Sequence, residues 1–245
     1  MTGSDLSQRK VPLIIVNSRS PGPTVWLTAC GHGDEVTGIV IIQELVKYFR
    51  KHGLIRGKVY AFPIMNPMGF ENVSRHISVS DEDLNRSFPG KEKGTLAERI
   101  AYKLFNTIMD TSPDLVIDLH NDWINSIPYT IIDPVDKNKE VYDAITHFAM
   151  LSGLPVVRDN DLLRSSLSHN IIQQDIPSVT LELGESYIVS ERNVQYGVFS
   201  VLNILSEMEI ISLSKGLFKY PASVEIKGKV LKYTDKPLCS FTGII

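Results

Sequence analysis

Short apolar runs typical of buried β-strands alternate along this chain with longer runs whose apolar residues recur at helical spacing. In the first helical run, Ile41, Leu45 and Phe49 fall on one face, and Gly53 follows as a candidate C-terminal cap. Thr95 and Glu98 have the spacing of a capping box that begins a second helix. This alternation predicts the α/β fold class, with a mixed, mostly parallel twisted sheet and helices on both of its faces.

The boundaries of the predicted elements follow from the Gly, Pro, Asn and Ser residues that interrupt these runs. The predicted strands are Val11–Asn17, Thr24–Cys30, Lys58–Met65, Asp114–His120, Tyr129–Ile132 and Ser178–Leu183. The predicted helices are Thr37–Lys51, Thr95–Met109, Lys139–Ser152, Arg164–Gln174 and Ser190–Met208, the last with Ser190 as its N-cap.

The character of the sequence changes after Ile211. Ala222–Tyr233 and Leu238–Ile245 are short β-type runs separated by an Asp-Lys-Pro turn. We therefore predict two domains, residues 1–210 as the main α/β unit and residues 211–245 as the beginning of a separate, small C-terminal β element. Because the last run stops on an apolar pair, we expect the chain to be shorter than a complete relative.

Charge, cysteine content and apolar patterning indicate which partners and which classes of protein are not expected. The formal net charge is −3, and no cluster of Lys and Arg is interleaved with aromatic residues, so nucleic acid is not an expected partner. Cys30 and Cys239 are too few for a disulfide framework. The polar N-terminus lacks the apolar run of a signal peptide, and no stretch approaches the roughly 18 apolar residues of a membrane span. We predict a cytoplasmic, soluble protein without a membrane partner, and leave open whether it forms a homo-oligomer.

Four groups of chemically active residues lie at or just after predicted strands. They are Gly31-His32-Gly33-Asp34-Glu35, Asp83-Leu84-Asn85-Arg86, Asp118-Leu119-His120 and Glu182-Leu183-Gly184. In an open α/β sheet, the loops beyond the carboxyl ends of the strands meet in one crevice. Two His, two Glu and an Asn-Arg pair in one crevice suit a catalytic zinc with three protein ligands, a general base and an anion clamp.

Each group also has an interpretation without catalysis. Asp34 and Glu35 could complement the positive end of a helix dipole, and His120 could be a hydrogen-bonded structural residue at a strand end. Asp118 points to the same face as His120, and we interpret it as a solvated strand residue rather than as support for a metal ligand.

Glu182 lies in an otherwise apolar strand, where an unpaired carboxylate would be costly. It either protrudes into a cleft near a cation or faces water from an edge strand, and we favour the cleft. Asn85 and Arg86 could bind a carboxylate, and Arg75 could hold an oxyanion.

These residues together resemble the succinylglutamate desuccinylase/aspartoacylase family of the zinc carboxypeptidase superfamily. The similar strings are Gly-His-Gly-Asp-Glu at 31–35, Asn-Pro-Met-Gly at 66–69, Asp-Leu-Asn-Arg-Ser-Phe-Pro-Gly at 83–90, Asp-Leu-His at 118–120 and Thr-Leu-Glu-Leu-Gly at 180–184. The resemblance spans roughly residues 25–205, and it implies a zinc hydrolase domain within residues 1–210.

The resemblance implies a role for each matching residue. It makes His32, Glu35 and His120 the ligands of one Zn²⁺ and Glu182 the catalytic acid/base. It implies that Asn85 and Arg86 grip a substrate carboxylate, that Arg75 assists the carbonyl, and that Asp83 orients His32. Relatives also carry a pocket tyrosine, for which Tyr187, Tyr196 and Tyr220 are equal candidates.

The resulting hypothesis is a zinc-dependent amidohydrolase that deacylates small N-acyl amino acids. In it, Zn²⁺ lowers the pKa of a bound water, from which Glu182 removes a proton as the water attacks the amide carbonyl. One alternative is a metallocarboxypeptidase acting on short or modified peptides with the same residues. Another is a non-catalytic, metal-dependent binding protein.

Overall fold

The computed structural model describes residues 9–122, 126–135, 138–159, 164–213, 216–221 and 228–232. The strands are β1 (Ile14–Asn17), β2 (Thr24–Ala29), β3 (Lys58–Phe62), β4 (Leu115–Asp122), β5 (Tyr129–Ile132), β6 (Val156–Arg158), β7 (Ser178–Glu185) and β8 (Val230–Lys232). The α-helices are α1 (Thr37–His52), α2 (Pro67–Glu71), α3 (Leu96–Met109), α4 (Lys139–Leu151), α5 (Leu167–Ile172) and α6 (Glu191–Glu207), with a turn of 3-10 helix at Leu84–Arg86.

All eight strands belong to one sheet, in the order β1-β3-β2-β4-β7-β5-β6-β8. Strand β1 is antiparallel to β3, and β5 is antiparallel to β7. The other five neighbouring pairs are parallel. The predicted fold class, a mixed and mostly parallel sheet, is therefore confirmed.

The alternation of side chains along β2 divides the core into two layers. Val25, Leu27 and Ala29 belong to the apolar cluster that includes buried residues of α1, α4 and α6. Trp26, which points the other way, belongs to a second cluster that includes residues of α3 and α5. Helices thus cover both faces of the sheet, as predicted.

Local sequence accounts for most element boundaries. The Thr95–Glu98 capping box is present at the start of α3, and the Ser190 side chain accepts a hydrogen bond from the Asn193 N–H at the start of α6. Gly53 follows α1 with a φ of 74°, a left-handed conformation that favours glycine. The sequence interpretation missed α2, the 3-10 turn and β6, each of which has five residues or fewer.

Strand β8 lies within the predicted run Ala222–Tyr233 and pairs in parallel with β6, at the edge of the main sheet. The described part of the C-terminal segment therefore extends this sheet. The second predicted run, Leu238–Ile245, lies outside the described residues, and the division into domains at residue 210 stays a prediction. Within the described ranges, no helix has the length and apolar character that crossing a membrane requires.

Candidate active site

Three neighbouring strands bring three of the four predicted groups to one edge of the sheet. The fourth group, residues 83–86, lies on the 3-10 turn between α2 and α3, so its predicted position after a strand is wrong. Strand β4 lies between β2 and β7, and His120 on β4 is the direct Cα partner of Glu182 on β7. One step earlier on the same face, Asp118 is the partner of Thr28 on β2. Strand register alone therefore sets a histidine beside a glutamate, on the face that α5 covers over β4 and β7.

His32 and Glu35 come from the turn between β2 and α1. This turn packs tightly on the start of α2, because a Cβ added to Gly33 would lie 2.0 Å from the carbonyl carbon of Gly69. Asn66 fixes the start of α2, since its side-chain oxygen accepts a hydrogen bond of 2.9 Å from the Gly69 N–H. The glycine at position 33 is thus a requirement of close backbone approach.

Both histidines converge on the carboxylate of Glu35. The Nδ1 atom of His32 lies 2.6 Å from Oε1, and the Nδ1 atom of His120 lies 2.7 Å from Oε2. The two ring centroids are 5.3 Å apart. All three residues are buried, and their candidate ligand atoms lie within 4.8 Å of one another.

Each imidazole also contacts a second carboxylate, through its Nε2 atom. The Nε2 atom of His32 lies 3.1 Å from Oδ1 of Asp83, and the Nε2 atom of His120 lies 2.8 Å from Oδ2 of Asp118. Thr28 Oγ1 donates a hydrogen bond of 2.7 Å to the other oxygen of Asp118. The interpretation of Asp118 as a solvated residue is wrong, because β4 is an interior strand and this side chain is buried.

These contacts make the centre favour positive charge. Burial lowers the pKa of both imidazoles, but the carboxylates outweigh it: the pKa of His120 is raised well above its usual range, chiefly by Asp118 and Glu35, and that of His32 is raised by Asp83 and Glu35. Burial acts to raise the pKa of Asp83, yet its hydrogen bond and proximity to His32 hold it at about 2. The pKa of Glu35 is likewise well below its usual range.

Such an environment fits a divalent cation. Two imidazole nitrogens and a carboxylate are ligands that zinc prefers, and a carboxylate behind each ring is the usual outer support of a zinc-binding histidine. His32, Glu35 and His120 form the one group of three candidate ligands that meets this spacing in the described part of the chain.

A cavity of about 200 Å³ opens beside this centre, and Arg75, Asn85 and Arg86 line it. Arg75 Nη1 donates to Oε1 of Glu35 at 3.3 Å. The Asn85 side-chain oxygen accepts the Leu167 N–H at 2.9 Å, and none of the described residues is recorded as accepting from its amide N–H groups. The structure thus brings the predicted anion-binding residues to the same cavity as the centre.

Glu182 lines the same cavity, and its strand β7 is flanked on both sides by other strands. The edge-strand alternative is therefore wrong. Its Oε2 atom is buried and has no hydrogen-bond partner among the described residues. Burial raises the pKa of Glu182 to about 8, against the charge of His120 and with the carboxylate of Glu35 adding to the rise. A carboxyl group with a pKa near neutrality can both take up and release a proton.

Sequence reasoning missed Asn121, which lies at the irregularity in register between β4 and β7. Its backbone N–H donates to Oε2 of Glu35 at 3.1 Å, instead of to the neighbouring strand. Its side chain bonds to Thr37 at the start of α1 and to the Glu185 carbonyl. The only sequence signal was a polar residue directly after the Asp-Leu-His group.

None of the three candidate tyrosines lines the cavity as the structure describes it. Tyr187 is 60% exposed. Tyr196 and Tyr220 pack against each other with ring centroids 5.2 Å apart. The pocket tyrosine implied by the resemblance stays unassigned.

Comparison with known proteins identifies relatives of this chain. The family model of the succinylglutamate desuccinylase/aspartoacylase catalytic domain matches residues 21–208. The N-alpha-acetyl-L-2,4-diaminobutyric acid deacetylase of Halomonas elongata is 31% identical over 143 residues, which cover 56% of this chain and 41% of the relative.

Solved structures show the same fold. A succinylglutamate desuccinylase/aspartoacylase from Rhodobacter sphaeroides aligns with a TM-score of 0.76 and 25% identity, covering 87% of this chain and 64% of that one. A metallo-carboxypeptidase from Burkholderia cenocepacia aligns with a TM-score of 0.65 and 17% identity, covering 80% of this chain and 60% of that one. This chain therefore spans less than two thirds of the length of each of these relatives. From the extent of the family match, the chain belongs to the succinylglutamate desuccinylase/aspartoacylase family.

Proposed function

We propose that this chain is a zinc-dependent deacylase that hydrolyses the amide bond of small N-acyl amino acids. The observation that carries the proposal is the convergence of two Nδ1 atoms on the two oxygens of Glu35, next to a buried carboxyl group on the adjacent strand. The name of the Halomonas relative, a deacetylase of an acetylated amino acid, supports the same reaction class.

His32, Glu35 and His120 would hold the zinc ion. When bound, the ion supplies Lewis acidity to the reaction centre. Asp83 and Asp118 keep the two imidazoles in orientation through their Nε2 atoms. Asn121 holds Glu35 through its backbone N–H, so each of the three ligand side chains has a further hydrogen-bonding partner that orients it.

Glu182 is the proton carrier in this proposal. Burial keeps its pKa near neutrality, so the carboxylate can accept a proton from an attacking water and return it to the leaving amine nitrogen. Its unpartnered Oε2 leaves a hydrogen-bonding position for a reacting group. General acid–base catalysis of this kind contributes roughly 10²- to 10⁴-fold to rate.

The arginines bind and orient the substrate. Arg75, beside Glu35, would stabilise negative charge that develops on the carbonyl oxygen. Arg86 and the amide of Asn85 would hold the carboxylate of the amino acid, so that the scissile bond stays beside the centre.

A second candidate, cleavage of short or modified peptides, is favoured by the structural similarity to a metallo-carboxypeptidase. It would use the same metal ligands, the same proton carrier and the same arginines, and only the substrate differs. An assay that offers N-acetyl and N-succinyl amino acids beside dipeptides separates the two functions.

The test of the proposed function combines metal analysis with this assay. We expect about one zinc per chain after reconstitution and hydrolysis of N-acyl amino acids that stops on chelation and returns with zinc. The variant His120→Ala should lose both the metal and the hydrolysis. His147→Ala serves as a matched control, because that histidine is exposed and pairs with Glu207 on another face. Hydrolysis that persists without metal would contradict the proposal.

A further inference from the structure

A second groove lies at the β1 edge of the sheet, away from the catalytic cavity. It runs between α3 and residues 9–13, which precede β1, and we call it the edge groove. Its volume is about 480 Å³, and in the described part of the chain it shares no lining residue with the catalytic cavity. This volume falls within the range of roughly 300–1,000 Å³ that is common for small-molecule sites.

The walls of the edge groove are apolar. Val11 and Leu13 line it from the segment before β1, and Phe62 lines it from the end of β3. Ile100 and Leu104 line it from α3, where residues four positions apart lie on the same face of the helix. Leu13 is 43% exposed, so an apolar ligand in the groove would remove part of its surface from water.

The edge groove has little to offer the polar part of a ligand except its cations. Thr107 is the one uncharged polar residue among the described residues that line it. The Thr107 hydroxyl already donates to the Lys103 carbonyl at 2.7 Å, within the same helix. The part of a ligand that enters the groove is therefore expected to be apolar, because a buried polar group without a partner is costly.

The charged residues that line the edge groove are cations, as far as the structure describes them. They are Arg9, Lys10 and Lys103. Glu71 pairs with Arg9, since its Oε2 atom lies 2.9 Å from Nε and 2.8 Å from Nη2. Lys10 and Lys103 are exposed, and no carboxylate of the described ranges forms an ion pair with either. Two such cations beside apolar walls would attract an anionic group that carries an apolar chain.

We propose that the edge groove is a second ligand site, which binds an aliphatic monocarboxylate. The hydrocarbon chain lies against Leu13, Ile100 and Leu104, and the carboxylate lies beside Lys10 and Lys103. A cationic amphiphile is repelled by the two lysines, and an uncharged one leaves them without a counter-charge, so charge selects the class of ligand. The inference does not depend on the proposed function, because the groove contains none of the residues assigned to catalysis.

Calorimetric titration of the zinc-loaded protein tests the ligand class. The probes are octanoate and decanoate below the concentration of micelle formation, with 1-octanol and octylammonium as uncharged and cationic counterparts. We expect decanoate to bind roughly 5- to 15-fold tighter than octanoate, since each methylene removed from water strengthens binding by up to about fourfold. Octanol should bind more weakly than octanoate, and octylammonium should show no saturable binding.

Substitutions in the edge groove test the location. Leu13→Glu places a negative charge on its wall and should abolish saturable binding of decanoate. Lys103→Glu should weaken that binding roughly 5- to 20-fold through loss of attraction and added repulsion. Lys139→Glu, an equal change of charge at an exposed position of α4, is the matched control. Urea titrations check that each variant is folded, which is expected because Leu13 and both lysines are exposed.

Methyl NMR spectra give a second, residue-resolved readout. Decanoate should shift the methyl signals of Leu13, Ile100 and Leu104 and leave those of Leu181 unchanged. Decanoate binding that requires zinc, or that is unchanged in Leu13→Glu, would place the carboxylate elsewhere and overturn the inference. Equal affinity for octanoate and octylammonium would also overturn it, as would sedimentation with phosphatidylglycerol vesicles in the absence of binding to dissolved decanoate. No outcome involves hydrolysis, so the inference and the proposed function can fail separately.

Discussion

The two faces of the central strands β4 and β7 carry different kinds of side chain. One face is apolar, and the other carries polar residues that line the cavity. On β7, Val179, Leu181 and Leu183 are wholly buried in the apolar cluster beneath α1, α4 and α6. Between them on the opposite face, Thr180 and Glu182 line the cavity. Strand β4 repeats the pattern, with Leu119 on the apolar face and His120 in the group of candidate metal ligands.

This difference shows how the fold separates stability from chemistry within single strands. Each buried leucine of the apolar face stabilises the fold by about 1.5–3 kcal/mol through removal of its surface from water. The other face ends in groups that are costly to bury, such as Glu182 with an unpartnered oxygen. Because side chains alternate, neighbouring residues can be changed to test one property at a time.

The largest effects are expected from single substitutions of Leu181 and Glu182, which are neighbours on β7 and point to opposite faces. Glu182→Gln should lower kcat by roughly 10²- to 10⁴-fold and leave zinc binding, and urea unfolding at pH 5, nearly unchanged, because it removes the proton carrier and keeps its shape. Leu181→Ala should lower the free energy of unfolding by roughly 2–5 kcal/mol and leave kcat of the folded protein unchanged. Steady-state kinetics and urea titrations measure both. A Glu182→Gln variant with near-normal kcat would remove this residue from the mechanism.

A smaller effect is expected from substituting Asp118, whose carboxylate contacts the Nε2 atom of His120. Asp118→Asn keeps the hydrogen-bonding shape but removes the charge next to Nε2, so zinc affinity should fall roughly 10- to 100-fold. Competition titration with a chromophoric chelator measures the change. The matched control is Ile117→Val on the apolar face, which should cost about 1 kcal/mol of stability without altering zinc affinity. Equal zinc affinity in wild type and Asp118→Asn would show that the carboxylate is structural only.

The smallest effect per experimental step is the change in metal-free stability with each pH unit. Glu182 loses its proton near pH 4.5 when unfolded and at about pH 8 when folded. The folded state therefore binds more protons between these values, and its stability falls as pH rises through this window, by at most about 1.4 kcal/mol per pH unit. Glu182→Gln should flatten that part of the profile. Urea midpoints of the metal-free proteins at pH 5 and pH 8 measure the difference, and parallel profiles would contradict the assigned burial.

Much of the fold could be predicted because it depends on local patterns. The capping box at Thr95, the stop at Gly53 and the apolar run Tyr129–Ile132 each correspond to an observed boundary. The groups around His32 and His120 could be placed together because parallel strands end at a common edge. Their assignment as ligands and the role of Glu182 remain predictions.

The sequence could not reveal what depends on contacts between distant segments. In the sequence, Asp118 resembles an ordinary polar strand residue. Its burial follows from the position of β4 between β2 and β7 in the sheet. The hydrogen bond from Asn121 to Glu35 requires an irregular register between β4 and β7, which the sequence of either strand alone does not indicate. Asp133 and Ser168 are 35 positions apart and meet only because α5 packs over the sheet. Strand β6, with three residues, is too short for its periodicity to be recognised.

The hydrogen bond between Asn85 and the Leu167 N–H has a consequence for ligand length. It ties the loop that carries Arg86 to the first residue of α5, and the next residue of that helix is Ser168, which holds Asp133. One short helix, α5, therefore connects the loop of Arg86 to Asp133 on the other side of the cavity, and this connection limits the length of ligand that fits between them.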